Sequence, residues 1–454
     1  MGRHPSVVER ALEDIGWSKY HNKLFFNCSF GWGCALMWLS TVSNILTENK
    51  DFDVFDKAIL GAAINFGAFI GCFVFSSLSD HYGRSFIFKK ITIVTCVSSI
   101  ILVVSWNFLT TLLAVIFLGL GIGGDLSTPP SVMIESIPPS YRKRVVLMNM
   151  GYCIGPMISQ LIALAITLWW SFPIEKWRAL AGAIAIITVI IAVFRDDVME
   201  SPIYLFKHRD TEFISVIVKI AQSNNRLSYE YKAPLLVAQH SRHSMDESEP
   251  KASIKDIFKS PNLSTTLILS ASQFLFYFGF VGCLLSFPQI LASKSMETTY
   301  IVLISQQLSG LLGLILASKM VDSCFGRKWT ISVGFFFCGM MAFLFIFAEN
   351  FYVSIVFSML IYFGLLMGIA SKNLITPESY KEDLRGAGVG FVMAVSRTGG
   401  ILVPIWAGLI TRIFGYQYTT ASFGVIFILA GLISIFLKET RKIKFKLPNT
   451  ILIS

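Results

Sequence analysis

Charged residues recur in a fixed register in the two halves of this chain. Arg84, Glu135 and Arg142 each have a counterpart of the same type 243 residues later. These counterparts are Arg327, Glu378 and Arg385. Each of the six positions lies near the end of an apolar run. Three positions with one offset indicate an ancient duplication, and this layout is typical of a transporter built from two parallel repeats.

Eight charged residues at these ends are predicted to form a latch at the inner rim of such a transporter. Alternating access needs two rigid halves that hold together on one side at a time. Ion pairs at the inner rim can favour the outward-open state by roughly a few kcal/mol and break when substrate binds. The alternative is that the charges only cap helix ends. The eight latch residues are Asp80, Arg84, Glu135, Arg142, Glu200, Arg327, Glu378 and Arg385.

Arg397 is the basic residue that lies deepest within an apolar run. The eleventh run starts near Arg385, so twelve residues at about 1.5 Å each place Arg397 about 18 Å along it, near the midplane. That depth is too great for snorkelling, and a midplane arginine normally faces a wet cavity and has a partner. We interpret Arg397 as a two-pronged anchor for a substrate carboxylate. The alternative is a structural ion pair or a hydrogen-bond network between helices.

Two further charged residues lie within apolar runs. Asp125 is about ten residues from the end of the fourth run, where burial disfavours its ionised form. It is therefore a candidate coupling residue that carries a proton, or else a permanently ionised partner of a basic residue such as Arg397. Lys372 lies five residues before Pro377. It is either an interfacial lysine whose stem snorkels or a second contact for an anionic substrate.

Aromatic and amide residues within the runs could frame a flat substrate. Tyr277 and Gln273 are one helical turn apart and share a face of the seventh run. For each residue of this kind, the alternative is plain packing or hydrogen bonding between helices. The remaining candidates are Trp38, Asn65, Gln160, Gln306 and Gln307.

The elements that must position these side chains follow from hydropathy. The chain of 454 residues is 54% hydrophobic and 15% charged, with a mean hydropathy of +0.64, outside the range of a soluble domain. Twelve apolar runs are long enough to cross a hydrocarbon core of about 30 Å. The sequence therefore predicts an all-α membrane protein with twelve transmembrane helices in two pseudo-symmetric six-helix bundles. The runs are 24–46, 57–78, 87–106, 108–134, 145–169, 178–195, 263–292, 299–320, 329–348, 351–376, 386–411 and 416–437.

The domain organisation and orientation follow from the same runs. Most of the 38 Lys and Arg residues fall on the side of both termini and of the central polar stretch, which the positive-inside rule places in the cytosol. The net charge of +10 reflects this excess of Lys and Arg on the cytosolic side, and the basic tail should lie against anionic lipid. The predicted parts are a tail at 1–23 with a short helix on the membrane surface, bundles at 24–195 and 263–437, a helical linker at 196–262 and a basic tail at 438–454.

Several function classes are excluded by what the sequence lacks. It has no phosphate-cradling loop, no nucleophile elbow and no spaced His or Cys ligands, so we expect no enzyme, no cofactor and no metal. No basic–aromatic module accompanies the charge, so nucleic acid is not an expected partner. The expected partners are a small-molecule substrate and the lipid bilayer. We expect a monomer in the plasma membrane, with an organelle membrane as the alternative.

The motifs together resemble those of the major facilitator superfamily, in its sugar-porter and organic-ion branch. Within that branch, Phe276-Tyr-Phe-Gly279, Ser396-Arg397-Thr-Gly-Gly400 and the tail segment Ala11–Tyr20 are most similar to synaptic-vesicle-two-related, niacin and organic anion transporters. The motifs that carry the wider resemblance are Asp80-His-Tyr-Gly83-Arg84, Gly119-Leu-Gly-Ile-Gly-Gly124, Glu135-Ser-Ile-Pro-Pro-Ser-Tyr-Arg142, Glu200-Ser-Pro202, Thr376-Pro-Glu378 and Leu384-Arg-Gly386.

The resemblance implies a rocking mechanism and roles for several residues. Anion carriers of this group have arginine at the position of Arg397, where cation carriers tend to have aspartate, and niacin-type relatives have an acid at the position of Asp125. Sugar/proton symporters pair a first-span carboxylate with a fourth-span arginine. Here the first span contains no acid and Val115 occupies the arginine position, which weakens that interpretation.

The sequence as a whole favours a secondary transporter of a small organic anion, such as a nicotinate-like monocarboxylate. Symport and uniport both remain open. The alternative within transport is facilitated diffusion of a hexose or another neutral solute. A different class is a nutrient sensor that keeps the fold without flux.

Overall fold

The computed structural model describes residues 7–48, 52–172, 174–195, 199–226, 228–244, 254–291, 295–348 and 350–441. Within these ranges every regular element is helical, and no strand occurs. The helices of the first half are α1 Val7–Ile15, α2 Lys19–Glu48, α3 Val54–Tyr82, α4 Arg84–Val103, α5 Phe108–Ser136, α6 Arg144–Met148, α7 Met150–Trp169 and α8 Lys176–Arg195. The linker contains α9 Pro202–His208, α10 Asp210–Gln222 and α11 Tyr229–Ser244. The second half contains α12 Asn262–Leu291, α13 Met296–Met320, α14 Gly326–Leu344, α15 Phe351–Ser379, α16 Arg385–Phe414 and α17 Tyr416–Ser434.

The predicted all-α membrane architecture is confirmed. Eleven helical segments of the described chain are long and apolar enough to cross a membrane, with α6 and α7 counted as one segment. The helix α2 is the twelfth long helix, and it is less apolar because serine, threonine and asparagine side chains lie along it. Most of these polar groups are buried in the bundle. Thr41 and Asn44 bond to α7, at Ser159 and Gln160, and Trp38 of the same helix bonds to Thr188 of α8.

The two halves meet along two helix pairs, α3 with α16 and α7 with α13. Glycines on α16 permit the close approach to α3. A Cβ atom on Gly390 would lie 2.4 Å from Ser76 Cβ, and one on Gly400 would lie 2.4 Å from Asn65 Oδ1. Small residues at a helix crossing let two backbones pack closely in a membrane. The α3–α16 contact therefore places Asn65 directly beside the helix that carries Arg397.

Two tight turns at one end of the bundle use glycines with positive φ. Gly83 links α3 to α4 with φ of 105°, and Gly326 begins α14 with φ of 70°. An L side chain rarely adopts this conformation, so glycine is the favoured residue at both turns. A Cβ atom at Gly83 would lie 2.5 Å from a carboxylate oxygen of Glu200, and one at Gly326 would lie 2.6 Å from Glu439. Each turn thus brings a helix N-terminus into contact with a distant glutamate.

The helix α1 packs against protein rather than presenting its apolar face to lipid. Val8, Leu12 and Ile15 are 1–2% exposed, because linker helices and the loop after α5 cover them. The apolar face of the predicted tail helix is therefore buried against protein, and its location on the membrane surface stays a prediction. We call the end of the bundle that carries α1 and the linker helices the linker face. The basic residues beyond 441 lie outside the described residues.

Candidate functional site

Arg397 is buried at the contact between the two halves, and its side chain is 2% exposed. Its guanidinium carbon lies 3.9 Å from the centroid of the Tyr277 ring. No carboxylate of the described residues forms an ion pair with Arg397, and its Nε has no hydrogen-bond partner among them. The titratable groups that interact with it are the Cys72 thiol and the hydroxyls of Tyr277 and Tyr152. Arg397 is therefore a buried cation that faces an aromatic ring and keeps unused donor capacity.

Tyr277 connects Arg397 to the first half of the chain. Its hydroxyl donates to Asn65 Oδ1 at 2.9 Å, across the α3–α12 contact. Gln273 of α12 and Met393 of α16 each lie one turn before Tyr277 and Arg397 on the same two helices. Gln273 Nε2 lies 3.6 Å from the Met393 sulfur, and Gln273 Oε1 has no hydrogen-bond partner among the described residues. The structure therefore brings Gln273, Tyr277 and Arg397 together as two successive contacts between α12 and α16. A flat ring could lie on this surface with its carboxylate on Arg397.

Further buried polar atoms lack partners within the described ranges. Trp32 Nε1 is one of them, and the Trp32 ring packs edge-on against Tyr152 with ring centroids 5.2 Å apart. Because Tyr152 also lies near Arg397, Trp32 belongs to the surroundings of the candidate site. Buried polar groups normally have partners, so this group is suited to receive a polar ligand or water. Among the amide side chains, Gln306, Gln307 and Asn373 also have buried atoms without a hydrogen-bond partner.

Trp38, unlike Trp32, lies inside the first bundle. Its indole nitrogen donates to Thr188 Oγ1 at 2.8 Å, and the side chain is fully buried. The two tryptophans are six residues apart, which on a helix of about 100° per residue turns them about 120° away from each other. The structure thus places Trp38 against α8 and Trp32 against Tyr152, and the role of Trp38 at the substrate stays a prediction. Gln160 is likewise used internally, by Ser40 and Asn44.

Lys372 lies in the interior of the second bundle, and its contacts do not include Arg397. Its side chain is fully buried, so the interpretation as a snorkelling lysine is wrong. The ammonium donates to Ser272 Oγ at 2.7 Å and lies 5.7 Å from the centroid of the Phe335 ring. Ser272 in turn bonds to Ser434 of α17. Because these partners all belong to the second bundle, Lys372 is placed in the interior of that bundle.

Asp125 forms a buried ion pair, but not with Arg397. Arg195 Nη2 lies 2.7 Å from Asp125 Oδ1, and the two side chains are 2% and 1% exposed. The guanidinium also stacks 3.9 Å from the Phe88 ring and lies against Gly31. Arg195 is the last residue of α8. Its side chain points back into the bundle because helical side chains lean towards the N-terminus.

Seven of the predicted latch residues cluster at the linker face in two similar groups. In the first half, Arg84 lies 2.5 Å from Asp80 and 3.0 Å from Glu135, and Ser201 Oγ donates to Glu135 at 3.0 Å. The first-half members of the groups are Asp80, Arg84, Glu135 and Glu200. The second-half members are Arg327, Glu378 and Arg385, with Arg327 Nε 3.4 Å from Glu378 and Thr440 Oγ1 donating to Glu378.

Glu200 caps the N-terminus of α4. Its carboxylate accepts from the backbone N–H of Arg84 at 2.7 Å and of Ser85 at 3.0 Å. Burial raises the pKa of Glu200 above its ordinary value, although these N–H donors and Arg84 oppose the shift. Glu439 does the same for α14, accepting from Arg327 N and Lys328 N at 3.1 Å each. Sequence reasoning missed Glu439 and Thr440, whose signal is the Glu-Thr dipeptide that matches Glu200-Ser201 at the end of the first half.

One ion pair of the latch crosses between the halves, and Arg142 has a different partner. Arg385 Nη1 of α16 lies 3.6 Å from Glu135 Oε1 of α5. The symmetric pair would join Arg142 to Glu378. Arg142 Nη2 instead donates to Glu9 Oε1 of α1 at 2.5 Å. The Arg385–Glu135 pair can therefore act as a cross-bundle contact, whereas Arg142 is bound to the N-terminal helix.

The opposite end of the interface between the halves is bridged as well. The Tyr300 hydroxyl of α13 donates to the Glu48 carboxylate at the end of α2. At the linker face, two longer ion pairs accompany the Arg385–Glu135 pair. Lys143 lies 3.9 Å from Asp322, and Lys207 lies 3.4 Å from Glu382. With contacts at both ends, the buried surroundings of Arg397 are closed off in this structure.

Comparisons with known proteins agree with this architecture. The family model described as "Sugar (and other) transporter" matches residues 30–452. MFS siderochrome iron transporter 1 of Ceriporiopsis subvermispora is 25% identical over 449 residues, covering 88% of this chain and 84% of that protein. The niacin transporter NiaP of Acinetobacter baylyi is 26% identical over 409 residues, covering 87% and 88%. The resemblance inferred from the motifs is confirmed at the level of the superfamily.

A solved structure with a similar fold is that of the proton:xylose symporter XylE bound to 6-bromo-6-deoxy-D-glucose. It matches with a TM-score of 0.75 over 93% of this chain and 97% of that one, at 16% sequence identity. At this identity the likeness concerns the fold alone. It accords with a twelve-helix arrangement of two six-helix bundles.

Proposed function

Because the chain belongs to the sugar (and other) transporter family, we propose that it carries a small organic anion across a membrane by alternating access. The family and its relatives establish the coarser statement, which is that the chain is a major facilitator transporter of a sugar-type or organic solute and not an enzyme. The proposed cargo has one carboxylate and a flat or apolar body, as in a nicotinate-like compound. The niacin transporter among the relatives is consistent with this class.

One observation carries the proposal, namely that Arg397 is buried without a carboxylate partner among the described residues. Burying a lone guanidinium is unfavourable unless something compensates for its charge. The Tyr277 ring compensates in part through a cation–π contact. A carboxylate on the substrate would complete the compensation through charge-assisted, bidentate hydrogen bonds.

In the proposed cycle the two halves rock around the Arg397 region. The Arg385–Glu135 pair and its neighbours hold the linker face closed, and the Tyr300–Glu48 contact holds the other face. Substrate binding shifts the balance between the two closures only through contacts that differ between the states. We propose that the linker face is cytosolic, that the protein is a monomer and that it resides in the plasma membrane.

A neutral solute is the second candidate, and the orphaned amides favour it. Gln273 Oε1 and both polar atoms of Gln306 lack partners in the described chain, and such groups suit the hydroxyls of a hexose. The family description also names sugars. The nutrient-sensor alternative differs from both transport candidates because a sensor binds its ligand without flux.

The experiment compares a carboxylate with its own neutral amide. Purified protein in proteoliposomes is tested for uptake of radiolabelled nicotinate, nicotinamide and glucose, with and without a pH gradient. We expect nicotinate to be preferred by the wild type and the preference to collapse in Arg397→Gln. Arg412→Gln is the matched control, because Arg412 is an exposed arginine on the same helix. Equal transport of the acid and the amide by the wild type would return the neutral-solute function to first place.

A further inference from the structure

The helix α1 connects the linker to the linker-face charges, although no counterpart of it exists in the repeat pattern. On one side it is held by the linker helices. Asn224 Nδ2 donates to the Ile15 carbonyl at 2.7 Å, and the Tyr229 hydroxyl donates to the Ala11 carbonyl at 3.1 Å and to Asp14 at 3.0 Å. These are hydrogen bonds to both backbone and side chain, so α1 has a defined orientation on the linker.

On its other side α1 contacts the loop between α5 and α6. Glu13 Oε2 accepts from the backbone N–H of Ser140 at 3.1 Å. Glu9 accepts from Arg142 at 2.5 Å, and the two side chains are 9% and 8% exposed. The pair is thus a nearly buried ion pair, and the loss of Glu9 leaves the Arg142 guanidinium without a carboxylate partner.

The position of Arg142 explains why it needs this partner. The charged groups that act on Arg385 are Glu135, Arg142, Glu382 and Glu9, so Arg142 repels it and the three carboxylates attract it. Glu135 already serves Arg84 and Arg385, and Glu378 is occupied by Arg327. Arg142 and Arg385, from opposite halves, therefore belong to one charged cluster when the linker face is closed, and Glu9, which pairs with Arg142, offsets part of their repulsion.

We propose that α1 is a clasp for the closed linker face, with Glu9 as the positioning residue that supplies the counter-charge for Arg142. The clasp is the segment Val7–Ile15. Because the turn after α10 and the first residue of α11 hold α1, the linker has a physical route to the latch. Displacement of the clasp leaves Arg142 and Arg385 in mutual repulsion and opens the linker face. The inference rests on the alternating-access part of the proposed function and does not depend on the charge of the cargo.

The test measures the opening of the linker face directly. Spin labels are attached at Tyr82→Cys and Phe325→Cys, which are exposed, equivalent positions of the two halves. Cys324→Ser removes the exposed native cysteine. Distances between the labels are measured by pulsed electron resonance on the full chain in lipid nanodiscs. No substrate is needed, so the result is independent of whether the cargo is an anion.

The two single neutral variants should differ in their effect on the distance distribution, since only Glu9→Gln should open the face. Glu9→Gln should raise the ratio of the long-distance to the short-distance population by about tenfold, because the repulsion is no longer offset. Arg142→Gln should leave the face closed, because it removes the repulsion itself. The double variant Glu9→Gln/Arg142→Gln should also stay closed, and Glu9→Asp should retain most of the closed population.

A merely structural ion pair predicts a different pattern, in which both single variants disturb the face equally. That result would overturn the proposal, as would a Glu9→Gln population identical to the wild type. The matched control is Glu212→Gln, which neutralises an exposed glutamate of the linker that pairs with Arg209. An effect of this control as large as that of Glu9→Gln would also refute the clasp.

Discussion

The linker face and the Arg397 region both contain buried arginines, but they differ in what compensates the charge. At the linker face, Arg84, Arg142 and Arg327 each have a carboxylate within 3.4 Å. Arg397 has a tyrosine ring and a thiol instead, and its Nε has no partner in the described part of the chain. Unpartnered guanidinium nitrogens occur in both regions, at Arg142 and Arg327 as well as at Arg397, so the difference lies in the carboxylate partners, which Arg397 lacks among the described residues.

This difference separates two uses of the same residue type. An arginine whose charge is balanced by a protein carboxylate can exchange that carboxylate for another, so it suits a contact that must break and reform. An arginine without a carboxylate gains most from a ligand that brings one. The Asp125–Arg195 pair is a third case, in which both charges belong to one half and nothing requires the pair to open. Its role is expected to be structural.

The largest effect is expected from breaking the Asp125–Arg195 pair. Asp125→Asn leaves Arg195 buried and unpaired, which should destabilise the protein by about 3–5 kcal/mol. The double variant Asp125→Asn/Arg195→Gln should recover part of that loss. Thermal unfolding in detergent measures both. If instead Asp125→Asn is stable and loses only accumulation driven by a pH gradient, while exchange persists, Asp125 is a proton carrier as the sequence suggested.

Removing the charge of Arg397 should weaken carboxylate binding by about 2–5 kcal/mol, because a charge-assisted bidentate pair is stronger than a neutral hydrogen bond. Arg397→Lys should recover only part of the loss, since an ammonium lacks the planar fork. Equilibrium binding of nicotinate and nicotinamide to purified protein measures the difference. An unchanged acid-to-amide ratio in Arg397→Gln would remove Arg397 from the site.

Neutralising Arg385 and neutralising Arg142, its counterpart in the first half, should lower turnover to different extents. Arg385→Gln removes the pair that crosses to Glu135, so we expect turnover to fall by about tenfold with little change in substrate affinity. Arg142→Gln should have a smaller effect, because its partner Glu9 belongs to α1. Initial rates and half-saturation constants in proteoliposomes test this. Wild-type rates in both variants would show that the charges are not a latch.

The smallest effect is expected at the Tyr277 hydroxyl. Tyr277→Phe removes the hydrogen bond to Asn65 but keeps the ring against Arg397, so binding should weaken by about 1 kcal/mol. Tyr277→Leu removes the ring as well and should weaken binding further. Tyr418→Phe, at an exposed tyrosine of α17, is the control. An effect of Tyr277→Phe as large as that of Tyr277→Leu would mean that the hydroxyl, and not the ring, positions the arginine.

Much of the architecture could be predicted from the chain alone. Apolar runs of the right length predict membrane helices, because every backbone polar group must be satisfied internally in lipid. The 243-residue register predicted two equivalent groups of charges, and the structure has both at one face. The depth of Arg397 was predicted from helical rise, and the structure buries this side chain.

Only the tertiary structure decided which partner each charge receives. The Asp125 side chain meets Arg195 of α8, Arg142 meets Glu9 and Lys372 turns into its own bundle. Sequence spacing gives the height of a residue along a helix, but not the neighbour that a rotation of about 100° per residue brings against it. That neighbour depends on how helices from distant parts of the chain pack, and packing also selected Trp32 over Trp38 beside Tyr152.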